Sequence, residues 1–286
     1  MMPEKCYRKE FITCFGMPID ENPTVVAMQA AFKQLGLDYI YNGSLVYPED
    51  LGDAVRAINA LHLKGAHVTV PHKIAVLKYL DQIDADAALI GAVNTVYIKD
   101  GKTCGANTDG KGFVVSMRQA QLPIQGKRFV ILGAGGAAKA IAVELALAKA
   151  DQITIVNRTL EKAQALAALI NQKAECHALA VAWYGAYRVP HDTNFLINCT
   201  DIGLYPDTNV PNIDYESLFA NLIVCDVIPN PPHTRFMQLA EEHGCRTFDG
   251  LSMLVNQAII SLRLWTGLEA DAAPMKAALA RDFQES

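Results

Sequence analysis

A lysine and an aspartate have the side chains and the setting needed to move a proton to and from a bound substrate. Lys73 ends the segment 69–73 (TVPHK), where a strand pattern changes into a helix pattern. The partial positive potential of a helix N-terminus disfavours the ammonium form, which suits an acid/base catalyst. Asp109 lies in 107–110 (NTDG), before a helical stretch, and can orient such a lysine. The alternatives are a surface lysine and an acidic helix cap, and spacing alone does not pair the two.

A glycine-rich turn predicts a dinucleotide site. Residues 133–138 (GAGGAA) follow an apolar strand, open an alanine-rich helix and fit G-x-G-x-x-A. Gly133 permits the tight turn, Gly135 leaves room for a pyrophosphate, and Ala138 allows close packing of helix on strand. The alternative is a tight turn without a ligand. The expected cofactor contacts in this turn are Gly133, Ala134, Gly135, Gly136 and Ala137.

The end of the next strand distinguishes between the two nicotinamide dinucleotides. NAD-binding proteins usually carry an acidic residue there, which holds the ribose 2′-OH. This chain instead has Asn157, Arg158 and Thr159, followed by Lys162. A guanidinium, a hydroxyl and an ammonium suit a 2′-phosphate, so these residues predict NADP. The alternative is a helix cap with solvated cations, and capping and phosphate binding can coexist.

Strand and helix patterns alternate along the chain and predict an α/β protein. Val- and Ile-rich segments alternate with segments of helical period. In the first third we expect strands near 11–15, 38–45, 66–70 and 95–98, and helices near 24–35, 48–62 and 72–80. Further on we expect strands at 128–132, 152–156, 195–199, 222–227 and 245–248, and helices at 137–149 and 160–171. Nearly continuous apolar strands separated by helices predict a doubly wound parallel sheet in this later part.

Composition excludes several classes of protein. The 286 residues are 51% hydrophobic and 19% charged, with a net charge of −5, which argues against nucleic-acid and polybasic membrane binding. Seven cysteines lack the spacing of a zinc site or a disulfide framework, so we expect reduced thiols and no metal. The first residues lack a secretory apolar core, and no apolar run is long enough to cross a membrane. We therefore expect a cytoplasmic protein.

Several motifs occur together in a fixed order. They are 69–73 (TVPHK), 91–95 (GAVNT), 107–110 (NTDG), the glycine turn, Asn157 to Thr159 with Lys162, 198–203 (NCTDIG), 249–257 (DGLSMLVNQ) and 264–267 (LWTG). Taken together, they resemble the shikimate dehydrogenase family, which includes the quinate/shikimate dehydrogenases. The resemblance covers essentially the whole chain.

The resemblance implies an NADP-dependent oxidoreductase that reversibly reduces 3-dehydroshikimate to shikimate, in the pathway to chorismate and the aromatic amino acids. Lys73 and Asp109 match the catalytic pair of the family. Three residues match polar ligands of the ring hydroxyls: Thr69, Asn94 and Gln257. Three more complete the expected cofactor set: Thr200, Val227 and Gly250, of which the last two lie beside the nicotinamide in the family. Without the resemblance, such residues are equally well explained as turn, cap or buried helix residues.

Two segments depart from the family pattern. Where the family has His-Ser-x-Ser-Pro, whose serines bind the substrate carboxylate, this chain places Asn22 and Thr24 at the serine positions. Both can still donate to a carboxylate, although Glu21 adds a negative charge and capping of a helix is the alternative. A tyrosine of the family is replaced by Pro229. The alternatives for function are therefore a paralogue acting on quinate, another cyclic hydroxy acid or an unlike polyol, and a non-catalytic NADP-binding regulator.

We expect the chain to be organised in three parts. Residues 1–108 form an α/β substrate-binding domain, 109–249 form a Rossmann-type doubly wound domain, and 250–286 form helices that return to the first. Pro123 and Gly126 interrupt a helical pattern and mark a candidate linker at 122–126. A small-molecule substrate is the expected partner, and the chain is expected to be a monomer or a homodimer.

Overall fold

The computed structural model describes residues 7–285. Cys6, one of the seven cysteines, lies outside this range. The chain divides into two compact units: the first ends at Thr108 and resumes at Val255, and the second comprises Asp109–Leu254. Each unit contains its own sheet and its own buried core, so each is described separately.

The first unit is built on a mixed six-stranded sheet. Its strands are β1 Glu10–Gly16, β2 Tyr39–Leu45, β3 Gly65–Val68, β4 Gln82–Ile83, β5 Thr95–Lys99 and β6 Lys102–Ala106, in the order β2-β1-β3-β5-β6-β4. Its helices up to this point are α1 Thr24–Leu35, α2 Leu51–Ala60, α3 His72–Ala75 and α4 Ala85–Ile90. Strand β5 runs antiparallel to both β3 and β6, and the other pairs are parallel.

Local signals located most of these elements. Asp100 and Gly101 have φ values of 52° and 73°, as a two-residue hairpin turn between β5 and β6 requires. The short strand β4 and helix α4 were not expected. The helix expected over 72–80 is wrong in length: α3 has four residues and passes into a 3₁₀ turn, Val76–Tyr79. The Lys73 carbonyl accepts a hydrogen bond from the Val93 N–H instead of extending a helical ladder (2.8 Å).

The second unit is a doubly wound sheet. Its helices are α5 Asp109–Gln119, α6 Gly136–Leu147, α7 Leu160–Lys173 and α8 Arg235–Glu242. Its strands are β7 Arg128–Leu132, β8 Gln152–Asn157, β9 His177–Ala182, β10 Phe195–Asn198, β11 Ile223–Asp226 and β12 Arg246–Phe248. All pair in parallel in the order β9-β8-β7-β10-β11-β12, which is the 3-2-1-4-5-6 order of a Rossmann fold. The predicted fold class is confirmed.

Two details of the second unit differ from expectation. Strand β9 was not predicted, because it is a half-exposed edge strand with little apolar continuity. The Pro/Gly interruption at 122–126 is a loop within the second unit and not a linker between the two units.

Two helices end the chain, α9 Leu251–Thr266 and α10 Ala272–Glu285. From Val255 onward they belong to the first unit. The indole Nε1 of Trp265 donates to the Val96 carbonyl on β5 (2.8 Å), and its ring packs edge-on against His67 on β3. Within residues 7–285, no helix combines the length and the apolar character that crossing a membrane requires.

Candidate functional site

The glycine turn leaves open the space that a pyrophosphate needs. Gly133 follows β7 with φ of +106°, and a Cβ there would lie 3.1 Å from the Cys199 carbonyl oxygen. Gly135 and Gly136 face open space, since no atom lies within 4 Å of a Cβ built on either. Helix α6 begins at this point without a side-chain cap, so its first N–H groups face the opening. The turn, including Ala134 and Ala137, fits the phosphates of a dinucleotide.

The end of β8 presents polar and basic groups. The Asn157 amide donates to the Thr159 carbonyl (2.8 Å), which shapes the turn, while the Thr159 side chain makes no cap bond to α7. Arg158, Thr159 and Lys162 are exposed, and within residues 7–285 neither cation forms an ion pair. The residue at the strand end is an amide and not a carboxylate. This group therefore fits a 2′-phosphate.

The ends of β10 and β11 bring the remaining expected cofactor residues together. The Val227 N–H donates to the Asn198 carbonyl (3.1 Å), and a Cβ on Gly250 would lie 2.4 Å from the Val227 carbonyl, so only glycine permits this approach. The Thr200 hydroxyl donates to Asn198 Oδ1 (2.6 Å), and its methyl group lies beside Gly133. Ligands of doubly wound sheets bind at these carboxyl ends.

The sequence analysis missed one acidic residue at this edge. Asp226, the last residue of β11, is 1% exposed and accepts hydrogen bonds from the Asn198 amide (3.1 Å) and the Thr234 hydroxyl (2.7 Å). Burial raises its pKa to about 6, although the hydrogen bonds it accepts oppose this. An aspartate that ends an otherwise apolar strand was the signal available in the sequence.

Lys73 lies on a turn that is fixed at both sides. Its backbone carbonyl is bound by Val93 N–H, and the preceding His72 is buried, with its Nε2 donating to the Val46 carbonyl (2.8 Å). The His72 N–H donates to the Thr69 carbonyl, which closes the turn (2.8 Å). The Lys73 side chain itself is half-buried. Because α3 is a single turn, the expected influence of a helix dipole on Lys73 does not apply.

The expected hydroxyl ligands Asn94 and Gln257 belong to one buried network. Asn94 Oδ1 accepts from the Thr108 N–H (2.8 Å), and its amide donates to the Thr108 hydroxyl (2.9 Å) and more weakly to Gln257 Oε1 (3.4 Å). The Ser261 hydroxyl completes the network through Thr95 (2.8 Å) and Thr108 (3.1 Å). Residues from β5, from the end of the β6 loop and from α9 therefore meet within the first unit. Thr69 is half-buried just after β3, and the N–H of the preceding Val68 donates to the Asn94 carbonyl (2.7 Å).

Asn22 and Thr24 occupy the start of α1. Asn22 Oδ1 accepts from the Thr24 N–H (3.0 Å) in a local turn before α1, whose N-cap is Pro23 and which has no side-chain cap. Its amide donates to the Cys14 thiol on β1 (3.2 Å), and Thr24 is 7% exposed. Glu21 is exposed to solvent.

The Cys14 thiol, which accepts a hydrogen bond from the Asn22 amide, is part of a series of hydrogen-bonded buried side chains. Burial raises the pKa of Cys14 to about 12, and it raises the pKa of Tyr41 well above its usual value. The Tyr41 hydroxyl hydrogen-bonds the Cys14 thiol and lies 2.7 Å from His67 Nδ1. Lys73 is near enough to Cys14 to favour the thiolate electrostatically, but burial outweighs it. Cys14 and Tyr41 are thus uncharged at physiological pH.

Asp109 is the first residue of the second unit and of α5, and it is half-buried. The Asn107 amide donates to the Ala92 carbonyl (3.1 Å), and Thr108 lies in the network above, so the chain entering Asp109 is held on the first unit. In the part of the chain that the structure describes, no cluster of His, Cys, Asp and Glu has the composition of a metal site.

Comparison with known proteins follows the division of the chain. The shikimate dehydrogenase substrate binding domain matches residues 14–96, shikimate/quinate 5-dehydrogenase matches 116–184, and the shikimate 5′-dehydrogenase C-terminal domain matches 250–280. Shikimate dehydrogenase (NADP(+)) of Methanopyrus kandleri is 41% identical over 92% of each chain. The chain belongs to the shikimate dehydrogenase family.

Two solved structures of this family broaden the comparison. The ligand-free 5-ketofructose reductase of Gluconobacter sp. strain CHM43 superposes with a TM-score of 0.94 at 47% identity, covering 97% of this chain and 100% of the other. A shikimate dehydrogenase in complex with NADP+ superposes with a TM-score of 0.88 at 38% identity, covering 96% of each. The expected family and the expected class, an oxidoreductase acting on a CH–OH group, are confirmed. The family contains relatives named for a carboxylate-bearing substrate and one named for a ketosugar.

Proposed function

We propose that the protein catalyses the reversible, NADP(H)-dependent reduction of a polyhydroxylated ketone to a secondary alcohol. NADP(H) is the hydride carrier. The observation that carries this proposal is the second unit's open glycine turn beside an exposed Arg158 and Lys162 at the end of β8, in a chain of this family. The cofactor supplies the hydride to the carbonyl carbon when it is bound.

The proton is assigned to Lys73. As the carbonyl carbon gains hydride, its oxygen gains negative charge, and the Lys73 ammonium donates a proton to that oxygen. In the direction of oxidation, the lysine amine takes the hydroxyl proton back. The role of Asp109 is to orient the lysine and to accept a hydrogen bond from a neighbouring substrate hydroxyl. This pair rests on the family motifs and on the fixed turn that carries Lys73.

Asn22 and Thr24, at the positions of the family's two serines, indicate the kind of substrate. In 3-dehydroshikimate and quinate a carboxylate must be bound, a role the family gives to two serines. Here the Asn22 side chain is engaged at both ends, by the Cys14 thiol and the Thr24 N–H, and Glu21 lies next to it. An unpaired carboxylate is costly to hold in such a place. We therefore favour an uncharged hydroxyketone. The first candidate is 5-ketofructose, because the relative at 47% identity is named as a reductase of this compound.

The second candidate is the reduction of 3-dehydroshikimate in the pathway to chorismate. It is favoured by a specific observation, since the curated relative at 41% identity over 92% of each chain is named for shikimate. The network of Asn94, Thr108 and Gln257 offers amide and hydroxyl groups that suit the hydroxyls of either substrate. The carboxylate is the difference between the two candidates that the start of α1 would recognise.

One set of assays tests both candidates. Purified protein is given NADPH with 5-ketofructose or 3-dehydroshikimate, and NADP+ with fructose, shikimate or quinate, and absorbance of the reduced nicotinamide is followed. We expect kcat/KM for 5-ketofructose to exceed that for 3-dehydroshikimate by about 100-fold or more. The reverse order would establish the second candidate, and cofactor binding without turnover of any compound would establish a regulator.

A double variant sharpens this test. Asn22→Ser with Thr24→Ser restores the family's two hydroxyl groups, and we expect it to raise kcat/KM for 3-dehydroshikimate relative to 5-ketofructose. An exposed change on α1, Gln29→Ser, serves as control. An unchanged ratio would contradict the role given to the start of α1.

The proposal includes a cytoplasmic location. The six cysteines within residues 7–285 are free thiols, a state maintained in reducing compartments.

A further inference from the structure

Asp226 is a carboxylate buried among neutral groups. It is 1% exposed, and within residues 7–285 no cation forms an ion pair with it. The titratable groups around it are the thiols of Cys199 and Cys225 and the phenol of Tyr215, and Asp226 contributes to the raised pKa of each. Arg235 acts on Tyr215 and Asp249 acts on Cys225, each one step further away. Aspartates are almost never fully buried unless they are paired, so this one calls for a cause.

Its hydrogen bonds tie three segments together. The Asn198 amide at the end of β10 (3.1 Å) and the Ile228 N–H after β11 (3.2 Å) donate to one oxygen. The Thr234 hydroxyl, at the N-cap of α8, donates to the other (2.7 Å) and accepts from the Met237 N–H (3.3 Å). One side chain thus fixes the ends of two strands and the start of a helix.

Two of the expected cofactor residues depend on this arrangement. Thr200 is held through Asn198, whose Oδ1 accepts both its N–H (3.1 Å) and its hydroxyl (2.6 Å). Val227 lies between Asp226 and Ile228, and its carbonyl packs on Gly250. Movement of the carboxylate would therefore move Val227, which is expected beside the nicotinamide, and Thr200, which lies beside the glycine turn.

The ionised form of Asp226 destabilises the fold. Burial raises its pKa from the usual 3.8 to about 6. Between these values the folded state binds a proton that the unfolded state has lost, so the contribution of Asp226 to stability falls as the pH rises through this window. Above about pH 6 it stays at its lowest value. A neutral amide would fill the same space without this penalty, which indicates a role other than stability.

We propose that Asp226 is a positioning residue for NADP(H), whose carboxylate holds Thr200 and Val227 in place against the nicotinamide half of the cofactor. This inference rests on the proposed function only in that the second unit binds NADP(H). Asp226 acts through its neighbours and touches neither substrate nor cofactor.

The test compares two ligands that share the adenine half. NADPH carries the nicotinamide, and 2′,5′-ADP lacks it but keeps the 2′-phosphate. We expect Asp226→Asn to weaken the binding of NADPH by about fivefold or more at pH 8 and to leave the Kd of 2′,5′-ADP unchanged, by titration calorimetry. Asp207→Asn is the matched control, because Asp207 also accepts backbone N–H groups in the second unit but is not buried.

Thermal unfolding and pH add readouts that a structural role would not produce. Asp226→Asn should match or exceed the wild-type Tm at pH 8, and the stability of the wild type relative to it should fall between pH 4 and about 6. The ratio of the NADPH and 2′,5′-ADP affinities should rise more steeply with pH through about 6 in the wild type than in the variant. Both ligands share the titration of the 2′-phosphate, and the 5′-phosphate of 2′,5′-ADP titrates alike with either protein, so the difference between the two proteins reports on Asp226.

The outcomes separate the two proposals. Three results with Asp226→Asn would each overturn the positioning role while leaving the cofactor assignment intact. They are equally weakened binding of both ligands, unchanged binding of both ligands, and a large fall in Tm at pH 8. Should Asp226→Asn fail to fold, Thr234→Val, which removes one hydrogen bond from the carboxylate, is measured with the same ligands, and an unchanged NADPH affinity overturns the role. Failure of the wild type to bind 2′,5′-ADP would overturn the cofactor proposal and this inference with it.

Discussion

The candidate phosphate-binding surface of the second unit and the buried polar network of the first unit use their polar residues in opposite ways. In the second unit, the candidate cofactor surface consists of backbone at the start of α6 and of exposed side chains at the end of β8. In the first unit, Asn94, Thr108, Gln257 and Ser261 are buried and bonded to one another. A phosphate can be bound by groups that have no other task, whereas the expected substrate ligands also hold the fold of their unit together.

This difference teaches where function and stability can be separated. Changes on the cofactor surface should alter binding without altering stability, because few internal contacts depend on these residues. Changes in the buried network should alter both. The predictions below test this contrast, beginning with the largest expected effect.

Lys73→Met should lower kcat by about 100-fold to 10,000-fold, because the proton donor is lost. KM and the affinity for NADPH should stay within about twofold, since neither depends on proton transfer. Steady-state rates with the preferred substrate and NADPH binding provide the measurements. The control is Lys78→Met, on the adjoining 3₁₀ turn, where the lysine is exposed above the Tyr79 ring. A large rise in KM with unchanged kcat would remove Lys73 from the chemistry.

Gly135→Val should weaken NADPH binding by about 100-fold, or ~3 kcal/mol, because the side chain occupies the space of the pyrophosphate. The φ of Gly135 is −81° and its Cβ position is open, so Tm should not change. Calorimetry and thermal unfolding measure the two quantities. Ala168→Val, on the exposed side of α7, is the control. If Tm fell together with the affinity for NADPH, binding and stability would not be separable at Gly135.

Arg158→Ala should weaken NADPH binding by about 10- to 100-fold, because a charge-assisted hydrogen bond to the 2′-phosphate is lost. NADH binding should not change, because NADH lacks the 2′-phosphate. Kd values for both dinucleotides provide the test, with Lys173→Ala at the other end of α7 as control. Equal losses for NADPH and NADH would show that Arg158 does not recognise the 2′-phosphate.

Ser261→Ala should lower the free energy of unfolding of the first unit by about 1 kcal/mol, because hydroxyls of Thr95 and Thr108 lose a partner. Denaturant titration in a Trp183→Phe background follows Trp265, which lies in the first unit. Thr266→Val, whose hydroxyl bonds only to local backbone of α9 and its end, is the control. An unaltered midpoint would mean that the network adds nothing to stability, against the contrast drawn above.

The sequence predicts the elements that carry the candidate cofactor surface because their determinants are local. A turn, the strand before it and the helix after it fall within one short stretch, and the end of β8 follows soon after. The doubly wound sheet follows from the same alternation of strands and helices. The length of α3 was not predictable in this way, because the Lys73 carbonyl is taken by Val93, a partner from another segment.

The interior of the candidate site depends on contacts between distant residues. No local sequence pattern predicts that the Asn22 amide donates to the Cys14 thiol. The same is true of the network that Asn94 and Gln257 share. Asp226 was missed for the same reason, since its donors lie on three segments. The roles of Lys73, Asp109 and the expected ligands stay predictions that the variants above test.

The discontinuity of the first unit has a consequence for biosynthesis. Residues 109–254 form a continuous stretch, whereas the first unit needs helices α9 and α10, which are translated after that stretch. On the ribosome the nucleotide-binding sheet is therefore complete while the earlier half still lacks Gln257, Ser261 and Trp265. Domains fold as units as they emerge. The expected order of maturation thus reverses the order of translation, and we expect a chain that lacks α9 and α10 to complete its second unit but not its first.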